Sequence, residues 1–461
     1  MSETSSIGLS RKQRVFAVLE TTMGTLEFPS AANFIRPAGN AVINQNPEFS
    51  DSIELEDTLD VLDVFPNAMP AGDFTIPMYI RPNSTFGSDP QGSCLFESLM
   101  GEKNPETTAA LLNLIDATVS TIAIDTISGG TFPEKGVITI GTEKIHYTGL
   151  TQTYGATTAT LTGATRGYDS TTAAATAADV AVTLSSVFYK QKTTSPSITV
   201  WVETDHMVQA LAGASVNAGE IGLTNEGAVT INFTGQGMRM YWAGTTAMAA
   251  TTASGLGVLS LDSGKHFSVG MFIQNKTTED TNSGAGYEIL SVSTTAATMT
   301  VTPALAHPFS ENDVISGYLP DATVIGDPIE GRYSSVEIDS VEAKIKTGTL
   351  NVNAPKQYIT DEVGTEYPED FLEDVREITS DIGLYFRKAD VKYFQDGFAN
   401  TEESTVLVTC GQTAGNIFEA YMKRTKLKVP TIEIASPAVE LKINMKALGT
   451  NGEDSLELYF R

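Results

Sequence analysis

Two cysteines in 461 residues, Cys94 and Cys410, are too few and too far apart in sequence for a disulfide framework or a metal knuckle. They read as two buried free thiols, which suits a reducing compartment. The four histidines, His146, His206, His266 and His307, are dispersed without the spacing that a zinc site needs. There is no Walker loop, no dinucleotide-binding glycine fingerprint and no Gly-x-Ser-x-Gly elbow, and the Gly-Gln-Gly at 235–237 is only a turn signal. No run of about 18 apolar residues is present to span a bilayer as a helix. The first residues, MSETSSIGLSRKQRVF, lack the apolar stretch of a signal peptide. The expectation is a soluble protein made in the cytoplasm, with no cofactor. On that expectation the sequons at Asn83, Asn232 and Asn275 carry little meaning.

Basic charge is scarce too. Twenty-nine Lys and Arg against 56 Asp and Glu leave a formal charge of −27, which argues against tight nucleic-acid binding. It leaves open a role in which DNA passes close by and must not stick. With 41% hydrophobic and 18% charged residues the chain is globular in composition, and its length allows about three domains.

What is abundant is alternation. SITVWVET, AVTINFTG, AVELKINMKALG and SLELYFR alternate apolar and polar residues between Gly, Pro, Asn, Asp and Thr turns, so the chain reads as mainly β. Helical candidates are few: CLFESLMGE from Cys94, TTAALLNLID from Thr107 and NIFEAYMKRTK from Asn416.

Two internal repeats appear, one nested in the other. Residues 197–235 and 404–449 share the order strand, helix-like segment, loop, strand, with Val229, Ile231 and Phe233 set against Leu441, Ile443 and Met445, and Asn232 against Asn444. Upstream of each lies an acidic stretch ending in Tyr–apolar–Arg, which aligns Tyr79 and Arg81 with Tyr385 and Arg387. A smaller pattern starting at Phe132 recurs over 255–315: Phe132 answers Phe267, Tyr147 answers Tyr287, and Asp179–Val180 answers Asp313–Val314. The chain thus reads as two copies of a larger β domain, with one small β module inserted into the first copy and another placed before the second.

The densest acidic clusters are Glu54, Glu56, Asp57, Asp60 and Asp63, and then Asp361, Glu362, Glu366, Glu369, Asp370, Glu373 and Asp374. Paired carboxylates serve glycosidases and bind calcium, but these occur once per large repeat and match neither an EF-hand loop nor a fixed catalytic spacing. They read as duplicated acidic loops. Arg11, Lys12 and Arg14 read as a solvated lead into the first strand or as a basic arm for an acidic neighbour.

The order of an acidic extended loop, MPAGDFTIPMYIRP, a short LFESLMG helix and then SITVWVETDHMVQALAGA…GAVTINFTGQG resembles the tail tube proteins of long-tailed bacteriophages, and the duplication resembles the subset with two tube domains per chain. The resemblance covers about residues 12–116, 186–245 and 335–461. It implies two tandem β-sandwich or barrel tail-tube domains, each with a short helix (1–116 with 186–245, and 335–461), and two small all-β modules (117–185 and 246–334). It also implies a structural virion protein rather than an enzyme, assembled in the host cytoplasm into trimeric rings that stack as the tail tube. Its implied partners are further copies of itself, a tape-measure protein, and tail terminator and baseplate or tail-tip proteins, with viral DNA passing through the bore. The acidic loops are expected to order between stacked rings, and the modules to project outward.

A different reading is a carbohydrate-binding or adhesion protein built of Thr-rich β modules. Such binders display exposed aromatics, whereas Trp201 and Trp242 both fall inside strand-like segments.

Overall fold

A computed structural model describes residues 11–54, 60–61, 63–104, 108–128, 132–152, 156–205, 207–247, 257–265, 267–399, 402–435, 437–450 and 452–461. The chain is mainly β, with two α-helices among the described residues.

In the first half lie β1 (Arg14–Leu19), β2 (Val42–Asn44), β3 (Phe49–Asp51), β4 (Val64–Pro66), β5 (Gly72–Tyr79) and α1 (Ser93–Met100). After an inserted module come β6 (Val187–Gln191), β7 (Ile198–Thr204), β8 (Met207–Thr224), β9 (Thr230–Gly237) and β10 (Arg239–Thr246). The second half holds β11 (Ser334–Ile338), β12 (Ile345–Asn353), β13 (Lys356–Tyr358), β14 (Phe371–Glu373), β15 (Glu377–Tyr385) and α2 (Lys392–Ala399). It ends with β16 (Ser404–Cys410), β17 (Phe418–Leu427), β18 (Thr431–Ala435), β19 (Ala438–Ala447) and β20 (Glu457–Phe460).

All these ladders are antiparallel, and their order repeats. The first half pairs β1-β7-β8-β9-β5-β2. The second pairs β11-β16-β17-β19-β15-β12. Register breaks also recur: β7 and β8 slip between Ile198 and Val200, and β16 and β17 slip between Ser404 and Val406. A bulge of this kind bends a strand and raises its twist, so β8 pairs with β7 and β10 through its first part and with β9 through its last. The observed register moves one repeat alignment by two residues. Ser215 pairs with Gln236 where the corresponding Lys426 pairs with Lys446, so Phe233 matches Ile443 rather than Met445. A two-residue slip keeps every side chain on its face, which is why the mismatched sets alternate alike.

One apolar core runs through both halves, with Ile76, Phe96, Ile231, Leu350, Val408 and Ile443 among its members. Two of the proposed helices are strands instead. TTAALLNLID contains the strand Thr108–Leu111, and NIFEAYMKRTK becomes β17. The helix-like part of SITVWVETDHMVQALAG is the start of the 18-residue β8. α1 stands where CLFESLMGE placed it. α2 was not foreseen; its Gly397 lies under the Lys428 carbonyl, where an added Cβ would come within 2.9 Å.

The two small modules are not simple appendages. In the first, the strand 181–184 pairs with 108–111, that with 121–128, that with 159–162 and that with 149–151. The chain 143–151 then leads back through 136–140 to 181–184, closing a barrel. In the second, β10 pairs with 314–317, and pairing continues through 272–275, 287–293 and 298–302 to 258–260, with an Ala247–Leu261 bridge closing the circle. Closure satisfies most strand edges, and in the first module the strand 165–168 lies outside the circle, paired with 143–147. Tyr147 and Tyr287 are both fully buried, as the smaller repeat implies. The turn before the last strand puts Asp179 and Asn312 in the left-handed region (φ 64° and 67°), so Asp179 matches Asn312 and not Asp313.

Each barrel shares a core with a sheet of the main body. Phe188 and Tyr459 belong to the first barrel's core, while Tyr189 and Leu458, one position away, face the main core. Phe16, Trp201 and Val208 belong to the second barrel's core, while Val15, Val200 and Val202 face inward. An ion pair seals the first contact. Arg461 Nη2 lies 2.6 Å from Glu419 Oε1, both side chains are almost wholly buried, and Arg461 Nη1 donates to Tyr168 Oη at 2.9 Å. Burial alone pushes the Glu419 carboxyl up, but the hydrogen bonds and charge of Arg461 outweigh it and the net shift is downward. Arg461→Ala leaves Glu419 buried without its counter-ion, and should cost about 3–5 kcal/mol in urea unfolding at pH 7. An unchanged midpoint would show that the pair does not hold the barrel.

Candidate assembly surface

β8 pairs on its far side with β12, from Ala218↔Asn353 to Thr224↔Thr347, so the two ladders become one sheet across this seam. Read straight across, one row runs Tyr79, Thr230, Gly222, Thr349, Asp381 and Asn444. Side chains alternate along a strand. Ile221, Ile231, Leu350, Ile382 and Ile443 therefore point into the core, while threonines, asparagines and the carboxylates of Asp73, Glu220 and Asp381 form the opposite face, which stays exposed or half-buried. Asn444 donates to Asp381, and Lys446 pairs with Glu377 at 2.6 Å.

Among the described residues both ends of this sheet are open: β2 pairs only with β5 at one end, and β18 only with β19 at the other. Val42, Ile432 and Ile434 are 53%, 49% and 89% exposed there. In ladder order β2 stands where β12 does, and β18 continues β17 where the last part of β8 lies. The open edges are thus the counterparts of the two strands that meet at the seam.

A hairpin arm leaves each half from the end of β2 or β12. β3 and β4 pair Phe49↔Pro66 to Asp51↔Val64, and β13 and β14 pair Lys356↔Glu373 to Tyr358↔Phe371, the same register with loops of equal length. The second arm is docked on the first half. Lys356 Nζ donates to Val216 O at 2.5 Å, and Tyr358 Oη lies 2.8 Å from Gly213 O and 2.9 Å from Gln236 O. Glu373 accepts from Ser195 N at 2.5 Å and pairs with Arg376 at 2.9 Å. Among the described residues the first arm shows no such seat: Phe49, Val64 and Phe65 are 59%, 49% and 52% exposed.

The acidic residues singled out in the sequence lie on these arms and just beyond them. Glu54, Asp60 and Asp63 are exposed on the first, and Glu56 and Asp57 lie outside the described residues. Asp361, Glu362, Glu366, Glu369, Asp370 and Asp374 are exposed, and Glu373 is half-buried in its ion pair. Just beyond the first arm, Met69 N donates to Glu366 O of the second at 2.8 Å. Among the described residues no group of three or more His, Cys, Asp or Glu could hold a metal ion. The sequence reading missed Lys356 and the open β18 edge. The signal for both was the register of the repeat, since Lys356 occupies the position of Phe49.

Other candidates fall into place around this surface. Cys94 and Cys410 are buried, which pushes both thiols up to about 12. His206 and His266 lie outside the described residues. Burial, followed by the charge of Arg461, pulls His146 down to about 4, and its ring stacks against Tyr168. Lys12 and Arg14 pair within the chain, with Asp205 at 3.1 Å and with Glu203; the first ten residues are outside the described set. Trp201 is buried with its indole N–H donated to Glu27 O at 2.9 Å, so of the two tryptophans only Trp242 is exposed.

No match to the sequence was found among protein-family models or among curated proteins. Function is therefore read from the chain's own geometry.

Proposed function

We propose that this chain is a phage tail-tube protein. In this reading residues 1–116 with 186–245, and 335–461, are two tube domains, and 117–185 and 246–334 are barrels on the outside of the wall. Three chains close a ring of six similar positions, and rings stack into a conduit for viral DNA in the virion tail. A tape-measure protein occupies the bore during assembly, and terminator and baseplate or tip proteins cap the ends.

The observation that carries the reading is the β8–β12 seam. Two halves with the same strand order are already joined edge to edge inside one chain, and the edges left over are of the same two kinds. Repeating that joint between chains pairs the β2 and β18 edges when the ring closes. The barrels cover the other layer of the body, so the Thr- and Asn-rich face with Asp73, Glu220 and Asp381 is the one left to line a bore. DNA carries one charge per about 1.7 Å of duplex, and such a wall offers it few cations to bind.

Electron microscopy of the purified chain, with the mass of isolated rings, tests this. Rings or tubes with three chains per ring are expected. Monodisperse single particles, or six chains per ring, would overturn it.

A further inference from the structure

We propose that the first arm, β3 and β4, docks on the second half of the next copy of the chain, across the basic strip of β17 and β19, with Asp51 facing Arg424 and Lys446. This rests on the tube reading and names the contact that closes its rings.

The docked second arm supplies the template. Strand register fixes each counterpart: Phe49 stands where Lys356 does and Asp51 where Tyr358 does. On the receiving side, Ile198↔Ala214 corresponds to Ser404↔Thr425, and Ser215↔Gln236 to Lys426↔Lys446. Gly213 therefore corresponds to Arg424, Val216 to Leu427 and Gln236 to Lys446. Inside one chain, Tyr358 reaches the carbonyls of Gly213 and Gln236. Between chains the same placement brings the Asp51 carboxylate to an arginine and a lysine.

Charge and exposure agree with this exchange. The first arm carries Glu48, Asp51, Glu54, Asp60 and Asp63, while the receiving strip carries Arg424, Lys426, Lys428 and Lys446 in a chain of net charge −27. So dense a basic run is unusual in this sequence, and it lies where the duplication requires an arm to sit. Arg424 is held by Glu403 at 2.7 Å and Lys446 by Glu377 at 2.6 Å, both in solvent-exposed pairs. The Lys446 pair is of the single-contact exposed kind that is worth little and re-partners readily, whereas Arg424 holds Glu403 through two hydrogen bonds and keeps that pair when Asp51 joins it. The apolar side chains Phe49, Val64 and Phe65 gain cover in the same step.

Tubes assembled from an equal mixture of unlabelled and ¹⁵N-labelled chain, treated with a carbodiimide that joins carboxylates to amines, test the contact on the unaltered protein. Mixed-isotope peptide pairs linking residues 48–63 to Lys426, Lys428 or Lys446 are expected. Same-isotope pairs alone, or links from the arm to other lysines, would overturn the docking and leave the tube reading standing. A chain that forms no rings defeats both. In a second experiment, Asp51→Lys and Lys446→Glu should each raise the concentration needed for assembly about tenfold, and the double variant should restore it. Normal assembly by both single variants, or no rescue by the double variant, would also overturn the contact.

Discussion

On the proposed tube reading, a chain carrying lysine in place of both Ile432 and Ile434 should remain a folded monomer at concentrations where the unaltered chain is expected to form rings. Both side chains stand on β18, whose only partner among the described residues is β19. At 49% and 89% exposure they contribute little to the core, and surface substitutions of this kind usually change stability by no more than about 0.5 kcal/mol. Edge lysines act on association instead. They place charge where another strand would have to pair, which is how natural sheets keep their edges from joining. The proposed ring of three chains would use this edge three times, so a modest penalty at each seam would multiply into loss of the closed form. Leu290 and Val269, 50% and 59% exposed on the second barrel, provide the control, since lysine at those two positions should leave assembly intact. Sedimentation velocity reads both outcomes. Normal rings from the β18 variant would show that the open edge is not the joint.

Strand content was legible in the sequence wherever one face of a strand meets solvent. β9 and β19 bury Ile231, Phe233, Leu441 and Ile443 on one side and leave Thr230, Lys442 and Lys446 on the other, and the alternation is plain. It fails where the sheet is buried on both faces. Phe418 and Ala420 face the main core while Tyr421 packs against the first barrel, so the apolar positions of β17 fall at spacings that imitate a helix. The same double burial hides the start of β8. TTAALLNLID misleads for another reason: Ala and Leu favour helix, but barrel closure uses Thr108–Leu111 as a strand, and tertiary pairing outweighs propensity. α2 was hidden because Gly397 weakens any helical reading, although the Lys428 backbone passing over it requires glycine.

The acidic arms were visible as composition but not as parts with different fates. Sequence marks both as exposed acidic loops. Only the strand register reveals that one is already seated and the other is not. Likewise, the barrels were legible as a repeated pattern, but their fusion with the sheets through Phe188, Tyr459, Phe16 and Trp201 was not, because those residues alternate with others that face the main core. Excising residues 120–184 would therefore uncover Phe188 and Tyr459 and not merely shorten a loop.

The seated arm should make stability rise with pH through an unusual window, from about pH 7 to pH 10.5. Burial pulls the Lys356 ammonium down to about 7; Glu373 opposes that shift and Arg376 adds to it. In the unfolded chain the same amine titrates near its ordinary 10.5. Between those values the unfolded chain holds a proton that the folded chain has released, so each step up in pH favours the folded state. Below pH 7 both states are charged and the folded state carries the full penalty, at most about 5 kcal/mol for this displacement. Lys356→Met removes the titration and also strips Val216 O of its donor, a loss of about 1–3 kcal/mol that does not depend on pH. The two stability curves should therefore cross, with the methionine variant ahead at pH 6 and behind at pH 10 in urea unfolding. Parallel curves would mean that Lys356 keeps its proton in the folded chain, held by Val216 O and the nearby Ser98 O, 3.4 Å away. The unseated arm has Phe49 at this position and no amine to titrate, so the chain's internal seam alone should show this dependence.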